Sequence, residues 1–126
     1  MIYTSYFAKA NTLTDVYLVS VSLSTPKWFK FNAVAPELAP TWQMIDDYKK
    51  SGDFTKYTEE YFKLLRSREP KISKTIEYLE ELALDNVVLL CCWEKEYTRC
   101  HRHLIAKYAN KNWKEYIELP PDSIPF

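Results

Sequence analysis

The stretch Val87–Ala109, "VVLLCCWEKEYTRCHRHLIAKYA", decides the fold. Its first part, "NVVLLCCW" with the preceding asparagine, is an unbroken apolar run of strand length. Such a run predicts a strand buried on both faces of a parallel sheet, because a strand with one wet face would alternate. A polar loop, "EKEYTR", follows, and Cys100 or Thr98 then opens a helix in which Leu104, Ile105 and Tyr108 face inward. "WKEYIEL" supplies a last short strand, and strand, helix, strand at this spacing reads as a βαβ unit.

Upstream, "IYTSYF" (2–7) and "DVYLVSVSL" (15–23) are rich in β-branched and aromatic residues and predict two more strands. The second breaks strict alternation, as expected of an inner strand covered on both sides. From Ser24 to Pro40, "STPKWFKFNAVAPELAP" holds three of the seven prolines and is expected to be a long irregular connection pinned by Trp28 and Phe31. "TWQMIDDYKK" predicts a short helix ended by Ser51 and Gly52. Asp53 is placed to cap "FTKYTEEYFKLLRSR", and Pro70 leads into "KISKTIEYLEELAL", two helices with apolar residues three and four apart. The expected fold is a single α/β domain over 1–126, three layers with a small, mainly parallel sheet flanked by helices, and an extended tail over 120–126.

The 126 residues suffice for one core, and the composition is 47% hydrophobic and 16% aromatic. Seventeen basic residues balance seventeen acidic ones. Counterion release on a polyanion needs a basic surplus, so nucleic acid is not the expected partner. No apolar run approaches the roughly 20 residues that span a bilayer, and the N-terminus lacks the pattern of a secretory signal. Three cysteines, an odd number with two adjacent, fit a reducing compartment better than a disulfide framework, so the expectation is cytoplasmic. Oligomeric state is not read from these features.

All three cysteines and both histidines lie in the opening stretch. In parallel α/β sheets ligands sit beyond the carboxyl ends of the strands, which is where this stretch turns from strand to helix. Cys100, His101 and Arg102 fall in the first helical turn, whose free amides and dipole favour an anion and a thiolate. Arg102 carries a planar fork suited to a phosphate or carboxylate. Cys92, at the strand end, is the second sulfur candidate, whereas Cys91 points into the core as a small apolar residue. Glu94 is placed for proton transfer beside a thiol and an imidazole, or for capping the helix. His101 and His103 do not share a helix face.

Two rival chemistries are weighed against this. "C-x7-C-H-x-H" is not a paired zinc-ligand spacing, so no metal and no cofactor are expected. Cys92 and Arg99 are separated by six residues, where a cysteine-phosphatase loop needs five. One glycine in the chain, Gly52, also excludes a Gly-rich phosphate loop.

The same residues carry a resemblance. Cys92 and Glu94 as Cys-x-Glu, then a polar loop and Cys100, His101 and Arg102 as Cys-His-Arg, resemble the motif of domain-of-unknown-function family 488. "IYTSYF" looks like that family's first strand, and "ELAPTW" followed by "FTKYTEEYFKLL" is similar to its middle. Where many members carry Asp-x-Arg on the second strand, this chain has Ser20, Val21 and Ser22, a departure that bears on activity or substrate. The resemblance implies a compact three-layer α/β fold with the motif residues at one sheet edge, and it implies no reaction.

The candidate catalytic residues are therefore Cys92, Glu94, Cys100 and His101, and the candidate ligand-binding residues are Arg102, Thr4 and Ser22. The reading that follows is a site for a small anionic, nucleotide-like molecule, with cysteine-dependent hydrolase or transferase chemistry. Two alternatives stand beside it: a non-catalytic interaction protein using Trp28, Phe29, Phe31 and Trp42, and a metal or redox-responsive module built on the same sulfurs.

Overall fold

The computed structural model describes residues 1–94 and 100–116. Arg99, most of the polar loop and the tail over 120–126 lie outside the described residues. The described strands are β1 (Ile2–Tyr6), β2 (Tyr17–Ser20), β3 (Ala33–Val34), β4 (Val88–Cys92) and β5 (Lys114–Glu115), joined in one parallel sheet in the order β3-β2-β4-β1-β5. β4 is the centre, as its unbroken apolar run predicts, and all five of its residues are buried. Its register with β1 runs from Ile2 opposite Val88 to Tyr6 opposite Cys92.

Successive side chains of β4 serve different faces because a strand repeats every two residues. Val88, Leu90 and Cys92 join Ile2, Val19 and Val21 against the helices α2 (Trp42–Ser51), α3 (Phe54–Ser67), α4 (Lys71–Leu82) and α5 (His101–Tyr108). Leu89 and Cys91 join Leu18 on the opposite face, under Phe7 and Ala10 of the short α1 (Phe7–Ala10) and under Leu13 and Phe29. The layers are unequal, with one face covered by long helices and the other by a single helical turn and irregular chain.

Local chemistry sets the helix boundaries. Thr41 Oγ1 accepts from the Met44 N–H and starts α2, which ends at Gly52, in the left-handed region with φ of 70°. Asp53 Oδ1 accepts from the Lys56 N–H and starts α3, as expected from its position. Tyr57, Tyr61 and Leu65 of α3 and Ile72, Ile76 and Leu79 of α4 are the buried stripes.

Three details differ from the sequence reading. β2 is shorter than 15–23, because Asp15 sits at φ of 59° and turns the chain before the ladder begins. The segment 24–40 is not wholly irregular, since Ala33 and Val34 pair with Val19 and Ser20, and Pro36–Leu38 form a 3-10 turn. Phe29, not Trp28 or Phe31, pins this segment: its ring is buried 4.6 Å from that of Phe7, whereas Trp28 and Phe31 are exposed.

Leu90→Ala is expected to lower stability by about 2–5 kcal/mol, because it opens a cavity in the central strand. Leu84→Ala, at a residue 82% exposed, is expected to change it by less than about 0.5 kcal/mol. Urea denaturation of both variants checks the pair.

Candidate functional site

In a parallel sheet every strand ends at the same edge, so the segments after β2 and β4 and the start of α5 converge there. They enclose a cavity of about 390 Å³. Ser22, Leu23 and Ser24 line it from behind β2, Cys92, Trp93 and Glu94 from the end of β4, and Cys100 and His101 from the start of α5. Pro40, Trp42, Ile45, Tyr48 and Lys49 close it on the α2 side, with Tyr57 from α3. The Trp93 indole N–H donates to the Ser24 carbonyl at 3.0 Å, tying the segment after β4 to the one after β2.

Cys92 and Cys100 bring their sulfur atoms into contact. Their Cα atoms are 7.9 Å apart, wider than the roughly 4.4–6.8 Å that a disulfide spans, a spacing that fits two facing thiols. Cys100 occupies the N-cap position of α5, where its backbone is extended and its side chain makes no cap bond. That leaves the sulfur turned to His101 Nδ1, 3.7 Å away.

His101 is held by its other nitrogen. Nε2 lies 2.6 Å from the Val21 carbonyl oxygen. A carbonyl only accepts, so Nε2 carries the hydrogen and the neutral ring presents the Nδ1 lone pair to Cys100. Burial against Tyr61, edge-on with ring centroids 5.8 Å apart, pushes the imidazole down from 6.5 to about 4. His103, on another side of the helix, is only partly buried, as the helical spacing requires.

Arg102 is placed differently from its expected role. It is fully buried and does not line the cavity. Its Nη2 and Nε reach Glu115 at 2.6 and 3.2 Å, and its Nη1 donates to Cys92 Sγ at 3.0 Å and to the Glu94 carbonyl. The guanidinium fork thus binds a carboxylate of the chain itself. Thr4 is likewise turned inward, where its hydroxyl donates to Glu115 at 3.0 Å. Ser22 does line the cavity, and Glu94 stands exposed at its rim. Ser20, by contrast, is buried and shares a hydrogen bond with Thr25 at 2.7 Å. Cys91 is sealed on the opposite face of the sheet, where burial pushes its thiol up.

Glu115 is the site residue that the sequence reading missed. A signal for it existed, since Arg102 shares the inward face of α5 with Ile105 and Ala106, and a buried arginine requires an acid partner. The three ligand-type atoms of Cys92, Cys100 and His101 lie within 4.8 Å of one another, the one such group among the described residues. The linear spacing hides this group, because strand end and helix start meet in space and not in sequence.

A parallel α/β domain with a cysteine pair, a histidine and a buried arginine at its carboxyl edge is the class defined by fold and site. The chain belongs to the DUF488 family: residues 11–113 match its DUF488-N3a model, described as the active DUF488-N3 subclade. No curated protein and no solved structure matches the chain. Among the described residues no helix is long and apolar enough to cross a membrane.

Glu115→Gln is expected to cost about 3 kcal/mol, because it removes the carboxylate that pairs with the buried Arg102 guanidinium. Loss of the exposed Lys50–Asp46 pair, by Lys50→Ala, is expected to cost less than about 0.5 kcal/mol. Denaturant titration of the two variants checks this. A second prediction concerns pH. The unfolded imidazole takes up a proton near 6.5 and the folded one only near 4, so the unfolded state binds more protons between these values. Stability is full above about pH 6.5 and falls as pH drops toward 4, by on the order of 3 kcal/mol from this ring. The difference in stability between wild type and His101→Gln, followed from pH 7 to 4.5, is expected to show that slope.

Proposed function

We propose that the chain holds a small anionic, nucleotide-like molecule in the cavity at the sheet edge and acts on it as a cysteine-dependent hydrolase or transferase. The observation that carries this reading is the neutral His101 ring, locked through Nε2 so that Nδ1 faces Cys100 on the wall of a ligand-sized cavity.

In the forward step the Cys100 sulfur passes its proton to Nδ1 and bonds to an electrophilic atom of the ligand, whose leaving group departs with that proton. Water, or a second acceptor in the transferase case, then displaces the sulfur and returns a proton, through His101, to the thiol. Cys92 is the alternative nucleophile, because a cation donating to its sulfur favours the thiolate. Glu94 at the rim is a second carrier for the proton. Arg102, Thr4 and Glu115 are positioning residues under Cys92.

The nucleotide-like character rests on the walls. Trp42 and Trp93, 64% and 49% exposed, offer flat faces on which a planar base stacks, and Lys49 supplies the cation that Arg102 does not. Membership in a subclade described as active supports a working site despite Ser20 and Ser22 on the second strand. Of the aromatics named for the interaction-protein alternative, Phe29 is buried, whereas Trp28, Phe31 and Trp42 are exposed.

The test is alkylation of the native protein with iodoacetamide, read cysteine by cysteine by mass spectrometry across pH, with and without a nucleotide mixture. Labelling of Cys100 or Cys92 below pH 7, blocked by nucleotide, with Cys91 inert, is the expected result. Cys100→Ser is expected to abolish labelling at that position and the nucleotide-dependent turnover while the fold persists. Thiols that all remain inert until the protein unfolds would remove cysteine chemistry from the reading.

A further inference from the structure

The geometry points to a second use of the same wall: Cys92, Cys100 and His101 form a three-ligand site for a thiophilic divalent cation of the zinc type, with its fourth position open to the cavity. The inference does not depend on hydrolase or transferase chemistry, since ligation needs only the two sulfurs and Nδ1.

Five observations support it. The donor set, two thiolates and an imidazole, is the soft set that selects zinc over magnesium or calcium, and its atoms already lie within 4.8 Å of one another. The Cα spacing of Cys92 and Cys100, 7.9 Å, is too wide for a sulfur–sulfur bond.

The outer contacts are those that metal sites use. A ligating histidine characteristically donates its other ring N–H to a carbonyl or carboxylate, and His101 Nε2 does so to Val21. A ligating thiolate is stabilised by donors to sulfur, and Arg102 Nη1 donates to Cys92 at 3.0 Å. Charge also balances: two thiolates neutralise a divalent ion, while Glu115 neutralises Arg102. Finally, all three ligands line the cavity, so the remaining position faces an entry path and not the core.

On binding, each ligating thiol gives its proton to solvent and its sulfur lone pair to the ion, with no change of oxidation state. The lone pairs so occupied are those a nucleophilic thiol and a proton-accepting Nδ1 require. Metal occupancy and thiol chemistry are therefore mutually exclusive states of one site, and zinc would act as a reversible inhibitor of any reaction run by Cys100.

The experiment titrates the reduced full chain with cobalt chloride, cobalt being the visible stand-in for zinc, and follows the thiolate-to-cobalt charge-transfer absorption. One equivalent per chain is expected to bind, to be displaced by zinc, and to survive Cys91→Ser. The band is expected to be lost in Cys92→Ser/Cys100→Ser, with folding followed by circular dichroism. Because that variant disturbs the Arg102 contact, a second readout uses wild type alone: one equivalent of zinc is expected to protect Cys92 and Cys100 from alkylation, and a chelator to restore their reactivity. Absence of the band in reduced wild type, or a band of equal strength in the double variant, would overturn the site. Neither result touches the nucleotide protection measured without metal, so failure of the metal site and failure of the cysteine chemistry are read separately.

Discussion

Everything at the sheet edge hangs on the ion pair between Arg102 and Glu115. The guanidinium is fully buried, and a charge at that depth is tolerable only with a partner and hydrogen bonds around it. Glu115 supplies the charge and is itself held by Thr4 from the neighbouring strand. The remaining reach of the fork goes to the Cys92 sulfur and the Glu94 carbonyl. One side chain therefore ties α5, β5, β1 and the end of β4 at a single point. A buried pair of this kind adds little net stability over an apolar filling; its effect is to fix the angle and depth at which α5 meets the sheet. That depth is what brings Cys100 and His101 to Cys92.

The chemistry at this point is set by what occupies two sulfur lone pairs and one nitrogen lone pair. In the proposed reading, the site is nucleophilic with protons shared between Cys100 and Nδ1, and closed to electrophiles with a cation bound. The neutral ring is common to both states. It is neutral because burial penalises its charge, and the Val21 carbonyl, which accepts from Nε2–H, fixes which tautomer the neutral ring adopts. The cavity walls are built independently of the sulfurs, since Trp42 and Trp93 belong to α2 and to the segment after β4.

Most of the fold was legible in the sequence where one physical signal acted alone. The apolar run over Val87–Trp93 marked the central strand, and Thr41, Gly52 and Asp53 marked helix boundaries through ordinary capping. β3 was illegible because two residues pairing through backbone atoms leave no side-chain pattern. Phe29 and Trp28 are adjacent and chemically alike, so sequence could not say which of them turns inward; the Phe7 ring on the same face of the sheet decides it. Cys92, Cys100 and His101, singled out at the strand end, do converge there. The role of Arg102 was misjudged because its partner lies 13 residues on, in a strand whose only other cue was its shortness. The Val21 carbonyl was invisible in principle, since any residue at that position would offer the same atom.

The strand order bears on how the chain comes together as it is made. β1, at the start of the chain, borders only β4 and β5, so its hydrogen-bonding partners begin more than eighty residues later. Until β4 emerges, the sole strand pair among the described residues available to the nascent chain is β2 with the two residues of β3. The helices α2 to α4 are complete by then, with apolar stripes and no sheet to cover. Sheet assembly therefore waits for the segment that also carries the cysteines, and a chain truncated before Val88 would have no central strand on which to close.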